Sequence, residues 1–192
     1  MGDPRRQHKQ YKTPSHPWQA RRIELEREII RGYGLKNKKE IWKMDSTVEG
    51  FKDQVKGAIA SHDTQRQKER RDVLKKVAAL GMIKEGEGED QVLGLQLRDV
   101  MERRLQTQLL RKGIARTVKQ ARQFIVHGHI TVNGKVVTAP GYLVSVKEEP
   151  NLAVRAASTL ASQEHPERVP IIRKERKKKP KKDDRSKPRF RR

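Results

Sequence analysis

The sequence predicts an α+β protein: a mainly helical N-terminal domain, then a small α/β module in which a helix-turn-helix leads into a short β-hairpin, with basic extended termini. Three observations carry this reading. Apolar residues recur at helical spacing from Ile41 to Ile59. The stretch TVKQARQFIVHGHITVNGKVV, Thr117 to Val137, contains a helix start, a helix stop and a hairpin turn. Positive charge gathers in two places rather than spreading evenly. The expected organisation is an extended basic arm over 1–16, a helical domain over 17–95, the α/β module over 96–154 and a low-complexity basic tail over 155–192.

Composition narrows the function classes. Only 33% of the 192 residues are apolar, which suits two small cores better than one large one. The net charge of +22 calls for a polyanionic partner, nucleic acid or an acidic membrane surface. The absence of cysteine removes disulfides, Cys-based zinc sites and thiol catalysis. No apolar run approaches the roughly 18 residues of a membrane span and no signal peptide opens the chain, so a cytosolic protein without a membrane partner is expected.

The elements follow in order. MGDPRRQHKQYKTPSHPW has three prolines and four Lys/Arg, the pattern of an extended arm, either frayed or ordered along phosphates. A helix is expected from about Pro17, with Trp18, Leu25 and Ile29 on one face and Gly32 or Gly34 as its stop. Asn37 with Glu40 three residues on resembles a capping box. It opens a helix whose stripe of Ile41, Met44, Val48, Phe51, Val55 and Ile59 reads as core. A third helix, about Thr64 to Leu80, packs Val73, Val77 and Leu80 inward and ends at Gly81; its first half, QRQKERRD, is either solvated or RNA-facing. KEGEGEDQ lacks the ligand spacing of a calcium loop and reads as a mobile acidic surface loop at a sub-domain boundary. Leu97, Met101, Leu105 and Leu109 then line one side of a single helix stopped by Gly113, with Arg104, Gln108 and Arg111 on another side.

Within the opening stretch, Thr117 is an N-cap with Gln120 as its reciprocal partner, and Val118, Ala121 and Ile125 form a buried face. Gly128 ends the helix and Asn133-Gly134 folds the hairpin. So short a helix must pack on its neighbour to exist. That packing is expected to gather Arg104, Arg111, Lys112, Arg116, Lys119 and Arg122 on a shared exposed surface. From Glu102 to Lys135 eight Lys/Arg face one acid, and none of the residues from Gly113 to Val137 is acidic. A rigid array of cations suits a phosphate backbone, where counterion release favours binding. His127 and His129 without a third ligand are weak evidence for a metal and fit RNA contact or hairpin packing. With 4% aromatic residues the chain suits the shape and phosphates of folded RNA better than stacked single strands.

The segment ERRLQTQLLRKGIARTVKQARQFIVHGHITVNGKVVTAPGYLV, with its core motif over 103–146, resembles the S-four RNA-binding domain. That module also occurs in pseudouridine synthases, tyrosyl-tRNA synthetases and ribosome-rescue proteins. YGLKNKKEIWK and VLGLQLRDVMERRLQTQ are similar instead to the small-ribosomal-subunit family that gave the module its name, in its archaeal and eukaryotic branch. The resemblance implies a structural protein rather than an enzyme. It would bind small-subunit rRNA directly, nucleate assembly of the subunit body and contribute to translational accuracy. It further implies contact with small-subunit protein S-five and neighbours, and a place near the point where mRNA enters. The Cys-based zinc site of some members cannot be carried over, and no cofactor or metal is expected. By position, the rRNA-binding candidates are Arg103, Arg104, Arg111, Lys112, Arg116, Lys119, Arg122, His129 and Lys135. Structural roles fall to Leu105, Ala121, Ile125, Gly128, Val132, Asn133 and Gly134. The basic end, RKERKKKPKKDDRSKPRFRR, is expected to be disordered alone and ordered only by rRNA.

Overall fold

The structure, a computed structural model, describes residues 9, 11–60, 64–84, 86, 88–162 and 165–167. Seven α-helices, two short 3-10 helices and one three-stranded sheet are present among them. The start of the N-terminal arm, two acids of the KEGEGEDQ segment and the basic end from 168 onward lie outside the described residues.

Helix α1 spans Ala20–Tyr33 and begins later than the proline suggests, because Pro17 and Trp18 form a turn ahead of it. Its inward face is also different. Trp18 is 90% exposed and Leu25 is exposed, whereas Glu26 is buried and Ile29, Ile30 and Tyr33 pack against Leu35, Ile41 and Met101. An acid can occupy that inward position because Arg22 at 2.5 Å and Lys38 at 2.9 Å neutralise it. Gly34, at φ +58°, ends the helix, and the N–H of Leu35 closes back on the Ile30 carbonyl at 3.1 Å.

Helix α2, Lys38–Ile59, buries Ile41, Val48, Phe51, Val55 and Ala58. The expected stripe holds through Val55, then Ala58 rather than exposed Ile59 turns inward, as a 3.6-residue period allows. Asn37 is extended but makes no side-chain cap bond; Glu40 reaches back to the N–H of Lys36 instead, at 3.3 Å. Helix α3, Thr64–Ala79, sets Val73 and Val77 against α2, and Gly81 at φ +70° follows it. Where the sequence suggests an acidic loop, Glu89 and Asp90 open a short helix α4, Glu89–Gly94. Acids suit the first turn of a helix, and Val92 of α4 is fully buried with the α2–α3 core.

The long helix expected through 97–112 is two helices, α5 (Leu97–Glu102) and α6 (Leu105–Arg111). Arg104 is extended, at φ −68° and ψ 141°, and bridges Leu143 like a strand residue. The N–H of Leu105 donates to the Tyr142 carbonyl at 2.7 Å, and the N–H of Val144 donates to the Arg103 carbonyl at 2.9 Å. A passing chain thus takes the backbone groups that a continuous helix would have used. Met101, Leu105 and Leu109 stay buried on either side of the break.

Helix α7, Val118–Val126, packs on α6 and leads into strands β1 (Ile130–Val132) and β2 (Lys135–Val136). A third strand β3, Leu152–Val154, pairs antiparallel with β1, giving the order β2-β1-β3 with Thr131 opposite both Val136 and Ala153. The core beneath the sheet joins Leu105, Leu109, Ala121, Phe124, Ile125 and Ile130. Leu160, in a segment the sequence assigns to the tail, is buried in this same core.

Candidate RNA-binding surface

The α7–hairpin unit is held by local devices. Thr117 Oγ1 accepts the N–H of Gln120 at 3.1 Å. The Gln120 side chain does not return the bond to Thr117; its oxygen accepts the N–H of Arg116, at 2.8 Å. Gly128 at φ +72° stops the helix, and the N–H of His129 closes on the Phe124 carbonyl at 3.0 Å. Asn133 at φ 50° and Gly134 at φ 77° form the left-handed pair of a tight hairpin. Asn151 Nδ2 donates to Asn133 Oδ1 at 2.8 Å, tying the turn to the start of β3. The buried face of α7 is Ala121, Phe124 and Ile125, with Val118 half-buried at its edge.

The candidate cations on this frame fall into two groups, and the shared exposed surface is smaller than expected. Arg104 is not on it. The helix break turns its side chain inward, where it is 2% exposed and meets Glu40 Oε2 at 2.5 Å. Arg122, 25% exposed, donates to the other oxygen of Glu40 at 2.8 Å. Arg103 lies inside as well, donating to Glu149 Oε2 at 3.0 Å and to the Val144 carbonyl at 3.1 Å. Arg111 is bound to Glu102 through Nε and Nη2 at 3.0–3.1 Å but remains 66% exposed.

The outward group is Arg111, Lys112, Lys119 and Lys135, together with half-buried Arg116. Lys112 Nζ donates to the carbonyl of Glu149, and Arg116 Nη2 donates to that of Pro166; both cations therefore keep their charge uncompensated by these contacts. Lys119 on α7 and Lys135 on β2 are exposed. His129 is half-buried: its Nδ1 lies 2.9 Å from Ser158 Oγ, and its ring meets Phe124 edge-on at 6.4 Å. His127 lies parallel to it at 6.3 Å.

Sequence reasoning missed the acids that anchor the inner group. Burial pushes the Glu40 carboxyl up, but hydrogen bonds and charge from Arg122 and Arg104 outweigh this and hold it below the usual carboxylate range. Glu102 accepts the Tyr33 hydroxyl at 2.9 Å besides Arg111; burial and this carboxylate push the Tyr33 hydroxyl up to about 12. Glu40 had a local signal, but that signal pointed to a cap. Glu149 stands 46 residues from Arg103, and sequence spacing carries nothing across that distance.

This arrangement, two helices and a hairpin carrying exposed cations, coincides with a match to the model of the S4 domain over residues 103–149. The likeness extends well beyond the module. Small ribosomal subunit protein uS4 of Methanococcus maripaludis strain C6 is 50% identical over 178 residues, spanning 91% of this chain and 99% of that protein. The chain belongs to the uS4 family. The uS4 protein of Methanococcus aeolicus is 48% identical over 174 residues, covering 90% of this chain and 98% of its own. The uS4 family consists of structural ribosomal proteins, not enzymes. Coverage this long includes α1 to α4, so the family relation does not rest on the S4 domain alone.

Proposed function

We propose that the chain is a structural constituent of the small ribosomal subunit that binds small-subunit rRNA directly and nucleates assembly of the subunit body. The observation that carries this reading is the set of exposed cations Arg111, Lys112, Lys119 and Lys135, with half-buried Arg116, on a frame fixed by the Thr117 cap, the Gly128 stop and the Asn133-Gly134 turn. Cations carried on a fixed frame neutralise phosphates, and the ions released favour the complex. Arg103, Arg104 and Arg122 then serve rRNA binding by shaping the module, and His129 by fixing the hairpin to the segment after β3.

The reading extends to the neighbours. Contact with small-subunit protein S-five, a role in translational accuracy and a position where mRNA enters the subunit belong to it, as do residence on cytoplasmic ribosomes and the division into arm, helical domain, RNA-binding module and tail.

Filter binding of the full chain to small-subunit rRNA across a salt series tests it. The logarithm of affinity should fall linearly with the logarithm of salt, by about 0.7–0.9 per phosphate neutralised. A flat response removes the phosphate-binding reading. Co-sedimentation in high salt tests the constituent role: a core protein stays with the subunit, and a transient visitor washes off.

A further inference from the structure

We propose that Trp18 is a stacking platform for an unpaired RNA base, at a second contact site separate from the exposed cations of the S4 domain. The proposal rests on the reading that the chain binds RNA, and it starts from an anomaly. Tryptophan is highly buried on average, yet Trp18 is 90% exposed, beside a helix whose inward face is complete without it.

Its exposure is built in by the segment that carries it. Arg22 Nη2 donates to the carbonyls of His16 at 3.0 Å and Pro17 at 2.7 Å, fixing the two residues before the indole. The same guanidinium holds Glu26 at 2.5 Å, and the Trp42 indole N–H donates to that carboxylate at 3.2 Å. Upstream, Tyr11 stacks on Trp42 with ring centres 6.2 Å apart, and the N–H of Lys12 donates to Ser46 Oγ at 2.9 Å. Residues 11–17 are therefore held at both ends, Tyr11 and Lys12 against α2 and His16 and Pro17 by Arg22 of α1, with Trp18 aimed into solvent from a fixed backbone. An aromatic ring presented in this way contacts a partner with little further loss of conformational freedom.

Charge selects the partner. From Pro4 to Ile23 there are six Lys/Arg, two His and no acid; Lys12 is paired with Glu49 and Arg22 with Glu26, while Lys9 and Arg21 are exposed. A partner carrying negative charge and flat apolar faces together is RNA with an unpaired base; a cation-flanked indole is how single strands are gripped without reading their sequence. The module itself offers little of this. Its Phe124 is buried, and the Tyr142 hydroxyl is tied to Glu148 at 2.7 Å. Phosphate contact by the S4 domain and base contact by Trp18 are complementary.

The test uses the full chain, a twelve-nucleotide single strand of adenosines and a twelve-base-pair RNA duplex, both with fluorescent labels for anisotropy. Indole emission is followed in the same titrations. The single strand should quench emission, and Trp18→Ala should abolish most of that quenching, because Trp42 is covered by Tyr11. Trp18→Ala should weaken single-strand binding about tenfold, within the range of one stacked base, while duplex affinity and the salt slope stay unchanged. Trp18→Phe should keep most of the affinity. Equal single-strand affinity and equal quenching in wild type and Trp18→Ala overturn the proposal; that is also the result if Trp18 seats in a neighbouring protein. Equal losses on single strand and duplex overturn it too, by showing a general effect on the fold. A wild-type chain that binds neither RNA removes the rRNA reading as well, so the two failures are distinguishable.

Discussion

Glu40 Oε2 lies 2.5 Å from Arg104 Nη2, across 64 residues of sequence, and joins the first turn of α2 to the residue that breaks α5 from α6. With Arg104 2% and Glu40 20% exposed, the pair is a part-buried link between the helical layer and the S4 domain. Removing Glu40 leaves Arg104 as an uncompensated buried charge, whereas removing Arg104 leaves Glu40 still paired with Arg122. Glu40→Gln should therefore cost about 2–4 kcal/mol, and Arg104→Met less, since Glu40 keeps Arg122. Urea unfolding of the two variants checks the order; equal losses would mean the buried charge is not what matters.

Acid should unfold the protein through the same carboxylates. Burial raises Glu40 and Glu26, but their cationic and hydrogen-bonding partners win, so both lie below the usual carboxylate range in the folded chain. Glu148 is lowered chiefly by the N–H of Ser145. A carboxyl whose folded value is depressed adds stability that is full above its unfolded value, near 4.3, and disappears as pH falls through the folded one. Asp45, raised by burial and by Glu49, works in the opposite sense and softens the acid limb. The melting temperature should be flat from neutrality to about pH 5 and fall steeply below about pH 4, and Glu40→Gln should flatten that fall. A variant curve parallel to wild type would exclude Glu40 as a contributor.

The sequence carried the devices that act within a few residues. The Thr117 cap, the Gly128 stop, the Asn133-Gly134 turn and the stripe from Ile41 to Val55 each depend on neighbours close in the chain, and the structure has all of them. The break at Arg104 was not legible, because its cause is a strand-like contact with Leu143, 39 residues on. That break also decides which arginines face outward. Helical spacing put Arg104 and Arg111 on one wet face; a single extended residue buries the first and leaves the second exposed. Trp18 went the other way, since an apolar residue just outside a helix has no face to belong to until its turn is known.

Lys119 and Arg122 separate RNA contact from architecture on one helix. Reversing Arg122 sets a carboxylate against Glu40 and disturbs the fold, so it is a poor probe of RNA binding. Lys119 is exposed on the same helix. Lys119→Glu should leave the melting temperature within about 1 °C of wild type, as surface changes away from packed features do. It should weaken rRNA binding and reduce the salt slope by about one, the signature of a lost phosphate contact. An unchanged slope in filter binding would remove Lys119 from the interface.

Gly34 is where α1 meets α7, and its substitution should show how tightly the two parts are joined. A Cβ there would sit 2.9 Å from Val118 Cγ1 and 3.0 Å from Val118 Cβ, on a backbone at φ +58°. The left-handed conformation alone costs a residue with a side chain about 1–2 kcal/mol. The contact with Val118 adds to that, because Gln106 Nε2 donates to the carbonyls of both Gly34 (3.3 Å) and Val118 (2.9 Å) and holds them together. Gly34→Ala should therefore destabilise by about 2–3 kcal/mol, more than strain by itself. Gly134→Ala separates the two effects: its φ is also positive, at +77°, but no atom lies within 4 Å of its added Cβ. It should cost only the strain, about 1–2 kcal/mol. Pairing Gly34→Ala with Val118→Ala should return it towards the Gly134→Ala value once the cost of Val118→Ala alone is subtracted. Failure of that recovery in urea unfolding would mean the α1–α7 contact yields at no cost.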